Sequence, residues 1–146
     1  MFHRYPVNWE EFYRNARALA WRLNEGQTWK GMIAITRGGL VPAAVMAREL
    51  GIRKIDTISI VSYDENDKQV EPIILKSCHA EGQGEGWLVV DDLVDTGATA
   101  KIVRDMLPNA HITAIYAKPS GKEHVDTFMT EVSQDTWIVF PWEEEI

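Results

Sequence analysis

Apolar residues recur at Trp9, Phe12, Tyr13, Ala16, Leu19, Ala20 and Leu23 near the start of the chain. Returning to one side every third or fourth residue, they predict an amphipathic helix. Asn8, three residues ahead of Glu11, forms a capping box at its start, and Gly26 marks its end. The aromatic part of the stripe reads as core or subunit contact rather than a ligand surface. The pattern then shortens. Lys30 to Thr36 (KGMIAIT) is an apolar run that stops at Arg37-Gly38-Gly39, and Pro42 fits the first turn of a helix ending before Gly51. Ile55 to Val61 is β-branched and reads as a buried strand, Tyr63 to Gln69 (YDENDKQ) as a polar loop or hairpin tip, and Ile73 to Leu75 as the returning strand. After the glycine-rich EGQGEG, Trp87 to Val90 is a buried strand running into Asp91-Asp92, Ala98 to Leu107 a helix, and Ile112 to Ala117 a further strand. Apolar runs alternating with helices predict an α/β fold, with a mainly parallel central sheet covered by helices on both faces. From Pro119 onward the period is lost, and the segment reads as an irregular, aromatic-containing cap over one end of the sheet.

Composition narrows the class. A chain of 146 residues suits one domain over 1–146. A net charge of -7 opposes a role in coating nucleic acid, where clustered Lys and Arg supply the affinity, but leaves a small anionic ligand open. The opening MFHRYPVNWEE has no apolar signal region, and the longest apolar run, Leu40 to Met46, is interrupted by Pro42, so the expected setting is cytoplasmic without a transmembrane segment. Cys78 stands alone, which excludes an internal disulfide, and His3, His79, His111 and His124 lack zinc-ligand spacing.

Open parallel sheets bind ligands beyond the carboxyl ends of their strands, so the residues that follow each apolar run carry the chemistry. Three such places stand out: Arg37-Gly38-Gly39, the stretch from Asp91 to Thr99, and Lys118. The strongest is LVVDDLVDTGAT, Leu88 to Thr99. Adjacent carboxylates at a strand end can accept hydrogen bonds from vicinal ribose hydroxyls or bind Mg²⁺ directly or through water. The Asp-Thr-Gly-x-Thr that follows opens a helix, where free N–H groups, the helix dipole and two hydroxyls make a phosphate cradle. An apolar strand ending in two acids also suits P-loop NTPases, but no GxxxxGK[ST] occurs, and Gly38-Gly39 lacks the third glycine of a dinucleotide fingerprint.

The segment VVDDLVDTGAT resembles the PRPP-binding signature of the type I phosphoribosyltransferases. With TRGGLVP before it, AKPSG after it and QDTWI near the end, the resemblance extends over nearly the whole chain to the bacterial xanthine-guanine branch of that family. It implies purine salvage: transfer of the ribose 5-phosphate of PRPP to guanine or xanthine, with hypoxanthine weaker, in the presence of Mg²⁺. It also implies a small hood over the strand ends, at about residues 119–146, to which the N-terminus is a candidate contributor. Carried over by position, Arg37 and Gly38 hold the pyrophosphate, in a loop where the family often has a non-proline cis peptide. Asp91 and Asp92 hold the ribose hydroxyls and the hydrated metal, with Asp92 on the metal side. Leu93 and Val94 lead into the phosphate wrap formed by Asp95, Thr96, Gly97, Ala98 and Thr99. Asp95 faces the purine N7, Lys118 donates to O6, Trp137 stacks on the base, and the Ile138 carbonyl meets the group at C2. Asp91, Asp92 and Asp95 are thus the candidate catalytic residues. Lys68 is the nearest candidate for the basic residue of the flexible loop, and Ala98 stands where a second glycine is frequent. The resemblance further implies a homotetramer and a peripheral association with the inner membrane. A hypoxanthine-guanine specificity, or a non-catalytic PRPP- or purine-sensing regulator of the same fold, is the rival reading.

Overall fold

The computed structural model describes residues 3–61, 64–65, 68–69 and 72–143, with the backbone alone described at 64, 65, 68 and 69. The elements run β1 (His3–Pro6), α1 (Trp9–Leu23), β2 (Gly31–Thr36), α2 (Leu40–Leu50), β3 (Ile55–Val61), β4 (Asp64–Glu65), β5 (Lys68–Gln69), β6 (Ile73–Lys76), β7 (Trp87–Val94), α3 (Ala98–Met106), β8 (His111–Ala117), β9 (Thr127–Glu131) and β10 (Thr136–Val139). Six strands form one sheet in the order β6-β3-β2-β7-β8-β9, and every pairing in it is parallel except β3 with β6.

Side chains alternate across the central strands, and both faces find cover. Met32 and Ala34 of β2 join Leu88 and Val90 of β7 against Phe12, Ala16, Leu19 and Leu23 of α1 and Ala43 and Met46 of α2. The intervening Ile33, Ile35, Trp87 and Val89 pack on the opposite face with Val103 of α3. Asn8 caps α1 by accepting from the Glu11 N–H at 2.8 Å, whereas Glu11 turns its carboxylate to the Tyr5 hydroxyl at 2.7 Å. The side-chain half of the capping box that Glu11 was expected to supply therefore ties α1 to the N-terminal strand instead. Among the described residues no helix is long and apolar enough to cross a membrane.

Two elements differ from the sequence reading. β7 continues past Val90 through the acid pair to Val94, because β8 goes on pairing with it up to Val94 and Ala117. The stretch after Pro119 is not wholly irregular: Thr127–Glu131 adds a parallel edge strand beside β8, and only then does the chain leave to pair β10 with β1 in a separate two-stranded sheet. Strand β9 escaped notice because TFMTE is half-buried, with no apolar run. The polar segment at Tyr63 to Gln69 contains a hairpin, Asp64 opposite Gln69 and Glu65 opposite Lys68, while Tyr63, Asn66 and Asp67 lie outside the described residues.

Ile115 of β8 is fully buried in the core beneath α1 and α2. Replacing it with Ala is expected to lower the unfolding free energy in urea by about 2–5 kcal/mol, whereas a loss below about 1 kcal/mol would contradict this packing.

Candidate functional site

The order of the sheet fixes where a ligand can lie. From β2 the chain proceeds to β3 on one side, and from β7 to β8 and β9 on the other, so the direction of winding reverses between β2 and β7. The two strands pair from Gly31 opposite Trp87 to Ala34 opposite Val90 and then part. Beyond that point β2 ends in the Arg37–Gly39 turn, and β7 carries Asp91 and Asp92. A cavity of about 740 Å³ opens in the fork, lined by Thr36, Arg37, Gly38, Asp91, Asp92 and Thr99, with Trp142 and Glu143 arriving from the end of the chain. The Thr36–Arg37 peptide is cis, as the family resemblance implies.

The acid pair is electrostatically uncomfortable. Both carboxyls are half-buried. Desolvation, followed by the charge of Asp92, pushes Asp91 well above the ordinary carboxylate range. Asp92 is also raised, first by desolvation and further by Glu143, although hydrogen bonds from Asp91 and from the backbone at Leu93 offset part of this. The Asp92 N–H donates to Asp91 Oδ1 at 2.8 Å. No ion pair among the described residues includes either acid. Gly38 lies directly under the Asp92 carboxylate, since a Cβ built there would stand 2.5 Å from Oδ2.

Behind the acids, Asp95 to Thr99 turns into α3 and lines a second cavity of about 180 Å³, together with Asp91, Leu93 and Val94. Asp91 and Thr99 line both cavities, so the two adjoin at these residues. Gly97 sits at the helix cap with φ +90°, a left-handed conformation that disfavours any side chain, and the His124 ring packs against the space where its Cβ would be. The Thr96 hydroxyl accepts from the Ala98 N–H at 3.3 Å, and the remaining first-turn N–H groups and the positive end of the helix dipole mark a place for an anion.

Lys118 follows β8 directly, buried, with its Nζ 3.3 Å from Asp95 Oδ2. The fold therefore brings together Arg37, Gly38, Asp91 to Thr99 and Lys118. Trp137 and Ile138 are carried by the hood strand β10, Trp137 exposed and Ile138 buried in the core, and neither lines the two cavities. The side chain of Lys68 is outside the described residues, and its backbone belongs to the β4–β5 hairpin. Sequence reasoning missed Gln134, whose Nε2 donates to Asp95 Oδ1 at 2.8 Å, as well as His124, Gly121, Trp142 and Glu143. Their roles come from contacts across long stretches of chain, for which no local spacing is a signal.

Two adjacent half-buried carboxylates, facing a cleft and sharing unfavourable charge, fit a divalent cation. Among the described residues no group of three or more His, Cys, Asp or Glu side chains could hold a metal alone. Such an ion would lean on one or two carboxylates and take its other ligands from water and substrate, the usual manner of Mg²⁺.

The raised pKa of Asp91 also affects stability. The folded protein binds the Asp91 proton more tightly than the unfolded chain does. Stability is therefore lost as pH rises from the unfolded carboxyl value, about 3.9, through the raised folded value. Asp91→Asn is expected to raise Tm at about pH 8 by roughly 2–8 °C, with the gain vanishing near about pH 4. A lower Tm for Asp91→Asn at the higher pH would contradict the placement of this acid.

The chain is 59% identical over 141 residues to the xanthine-guanine phosphoribosyltransferase of Desulfotalea psychrophila, covering 97% of this chain and 87% of that protein. It is 58% identical over 142 residues to the xanthine-guanine phosphoribosyltransferase of Nitratidesulfovibrio vulgaris, covering 97% and 86%. The crystal structure of a purine phosphoribosyltransferase from Pyrococcus horikoshii superposes with a TM-score of 0.78 at 28% identity, over 98% of this chain and 96% of that one. The family model for the phosphoribosyl transferase domain matches residues 7–146. The chain therefore belongs to the phosphoribosyl transferase domain family.

Proposed function

We propose that the chain transfers the ribose 5-phosphate of PRPP to a 6-oxopurine, guanine or xanthine, and less well to hypoxanthine, with release of pyrophosphate. The observation that carries this reading is the convergence on two adjoining cavities of an uncompensated acid pair, the Arg37-Gly38 turn and the Asp95–Thr99 helix entrance. These are complementary to a ribose, a diphosphate and a monophosphate, respectively. The names of the relatives at 58 and 59% identity support the choice of base.

In the reaction the bond from the anomeric carbon to pyrophosphate breaks as a purine nitrogen adds, through a transition state with oxocarbenium character. Arg37 meets the growing negative charge by its guanidinium and Gly38 by its N–H. Asp91 and Asp92 accept from the ribose hydroxyls. Leu93 and Val94 lead the chain to the site, and the N–H groups of the Asp95–Thr99 turn, with the hydroxyls of Thr96 and Thr99, fix the 5′-phosphate and with it the position of the anomeric carbon. Asp92, with Asp91 beside it, would hold a magnesium ion, which when bound would supply positive charge to offset that of the departing diphosphate. Asp95 faces N7 and can take or return a proton there, Lys118 donates to O6, Trp137 stacks on the ring, and the Ile138 carbonyl accepts from the C2 substituent. Lys68, at the second strand of a hairpin, is the basic residue of a loop that closes over the site and excludes water. Assembly as a homotetramer in the cytoplasm follows the family resemblance, with the exposed Trp9, Tyr13 and Trp21 of α1 as a candidate subunit face.

The direct test is pyrophosphate release from PRPP and Mg²⁺ with guanine, xanthine, hypoxanthine, adenine and orotate in parallel. Guanine is expected to lead, because its 2-amino group can donate to a carbonyl. Adenine is expected to be rejected, because its 6-amino group meets Lys118 donor to donor. Lys118→Ala should lower kcat/KM for guanine about 10-fold or more and narrow the gap to adenine. Unchanged guanine kinetics in that variant, or efficient use of adenine by the unaltered protein, would show the base site to be misplaced.

The acid pair and its floor are tested separately. Asp91→Ala and Asp92→Ala should each cut kcat/KM about 10²-fold or more with the fold intact. Gly38→Ala, whose methyl would press on the Asp92 carboxylate, should weaken PRPP binding while leaving the core untouched. Near-normal turnover of the double Asp variant would remove the acid pair from the mechanism.

A further inference from the structure

The side-chain amide of Gln134 is held at both ends. Its Nε2 donates to Asp95 Oδ1 at 2.8 Å, and its Oε1 accepts from the Ser120 N–H at 2.9 Å. The Ser120 N–H fixes which end is which, since a backbone N–H only donates and so must meet the amide oxygen. Gln134 is exposed, so packing does not impose this rotamer, and ordering a long side chain costs conformational entropy that the two bonds must offset. The turn beneath it is tied on every side. Ser133 Oγ donates to Asp135 Oδ1 at 2.6 Å and lies 2.6 Å from Thr136 Oγ1, the Thr136 N–H donates to the Ser133 carbonyl at 3.0 Å, and the Asp135 carbonyl accepts from the His3 N–H at 3.0 Å. The facing loop is equally close. A Cβ at Gly121 would stand 2.6 Å from the Asp95 carbonyl oxygen, and the Gly121 N–H donates to the Lys118 carbonyl at 3.0 Å.

Asp95 thus has two partners of different kinds. One is the Lys118 ammonium at 3.3 Å from Oδ2, longer than a strong charge-assisted bond, and the other is the neutral amide on Oδ1. If Lys118 turns to O6 and Asp95 to N7, the carboxylate loses its ionic partner at the moment the base arrives and keeps only Gln134. A neutral donor suits that duty. It fixes the direction of Oδ1 and leaves Oδ2 to the ligand, without setting a second positive charge beside the acid. We propose that Gln134 is a positioning residue for the base: it holds Asp95 in the orientation that meets the purine and links the turn leading into β10 to the turn that opens α3. This inference rests on the purine reading of Asp95 and Lys118.

Two variants divide the functions of the amide. Gln134→Glu keeps the shape and an acceptor for the Ser120 N–H but sets a carboxylate against Asp95, whereas Gln134→Leu removes donor and acceptor together. The full chain is assayed for kcat/KM toward guanine with PRPP and Mg²⁺, from about pH 5.5 to about pH 8.5, each variant as a ratio to the unaltered protein. Calorimetric PRPP affinity and thermal unfolding are measured alongside. Both variants are expected to keep PRPP Kd within about 3-fold and to lose guanine kcat/KM about 10-fold or more at the alkaline end. As pH falls, Gln134→Glu should recover, because the facing carboxyls come to share a proton and the protonated one donates to the other, whereas Gln134→Leu should not. Lys118 faces Asp95 in all three proteins. Nearby, Lys122 is paired with Glu131 at 3.0 Å and His124 lies 3.4 Å from Glu123, so the ratio isolates the Gln134 position. Unchanged guanine kinetics in both variants, or a loss in both without recovery of Gln134→Glu at low pH, overturns the proposal. If the unaltered protein releases no pyrophosphate with any base, the purine reading itself fails; an active unaltered protein with unaffected variants removes only the role of Gln134.

Discussion

The fork between β2 and β7 is the constraint on which the rest depends. As long as the strands pair, their side chains are committed to two apolar layers, and no charged group can be tolerated between α1, α2 and α3. One residue past Val90 the pairing with β2 ends while that with β8 persists, so Asp91 and Asp92 are held rigidly on a strand but have lost a neighbour on one side. That geometry makes the carboxyls half-buried, raises their proton affinity and opens the cavity they face. A site placed on a strand rather than a loop keeps its direction, and the reversal of winding supplies the room.

Close approach of backbone segments completes the arrangement. The Arg37–Gly39 turn can pass beneath Asp92 because Gly38 has no Cβ, and the α3 entrance can bend past His124 because Gly97 has none. Lys118 is drawn toward Asp95 by the bond from its own N–H to the Val94 carbonyl at 3.0 Å, which carries the β7–β8 ladder one residue beyond the strands. The hood is anchored by aromatic packing of Phe140, Trp142 and Phe12, with Phe140 and Trp142 stacked at 4.7 Å between centroids, so the chain end that brings Glu143 to the cleft is fixed to α1. Site and core are therefore built from the same contacts.

Much of this was legible in the sequence because it is local. The helical stripe from Trp9 to Leu23, the apolar run ending at Thr36, Gly51 after α2 and the ordered set from Asp91 to Thr99 each follow from residue type and spacing. Strand β9 was not legible, since a half-buried edge strand such as TFMTE carries no period of its own and forms because β8 offers a free edge. The extension of β7 through two aspartates was hidden too, because charge reads as a strand end when only a neighbouring strand can continue the ladder. Gln134, 39 residues from Asp95, was invisible for the same reason: its role exists only once the hood turn has been folded back over the α3 entrance.

The cleft is prepared for an anionic, phosphorylated ligand and its divalent cation by an acid pair whose burial makes it bind a proton more tightly than ordinary carboxyls do. Calorimetric titration with PRPP at saturating Mg²⁺, in buffers of different ionisation enthalpy across acid to neutral pH, measures the protons exchanged on binding. The account predicts more proton release from the unaltered protein than from Asp91→Asn, with the difference fading as pH rises above the raised value of Asp91. Equal proton release from the two proteins at every pH, with PRPP bound equally well by both, would contradict it.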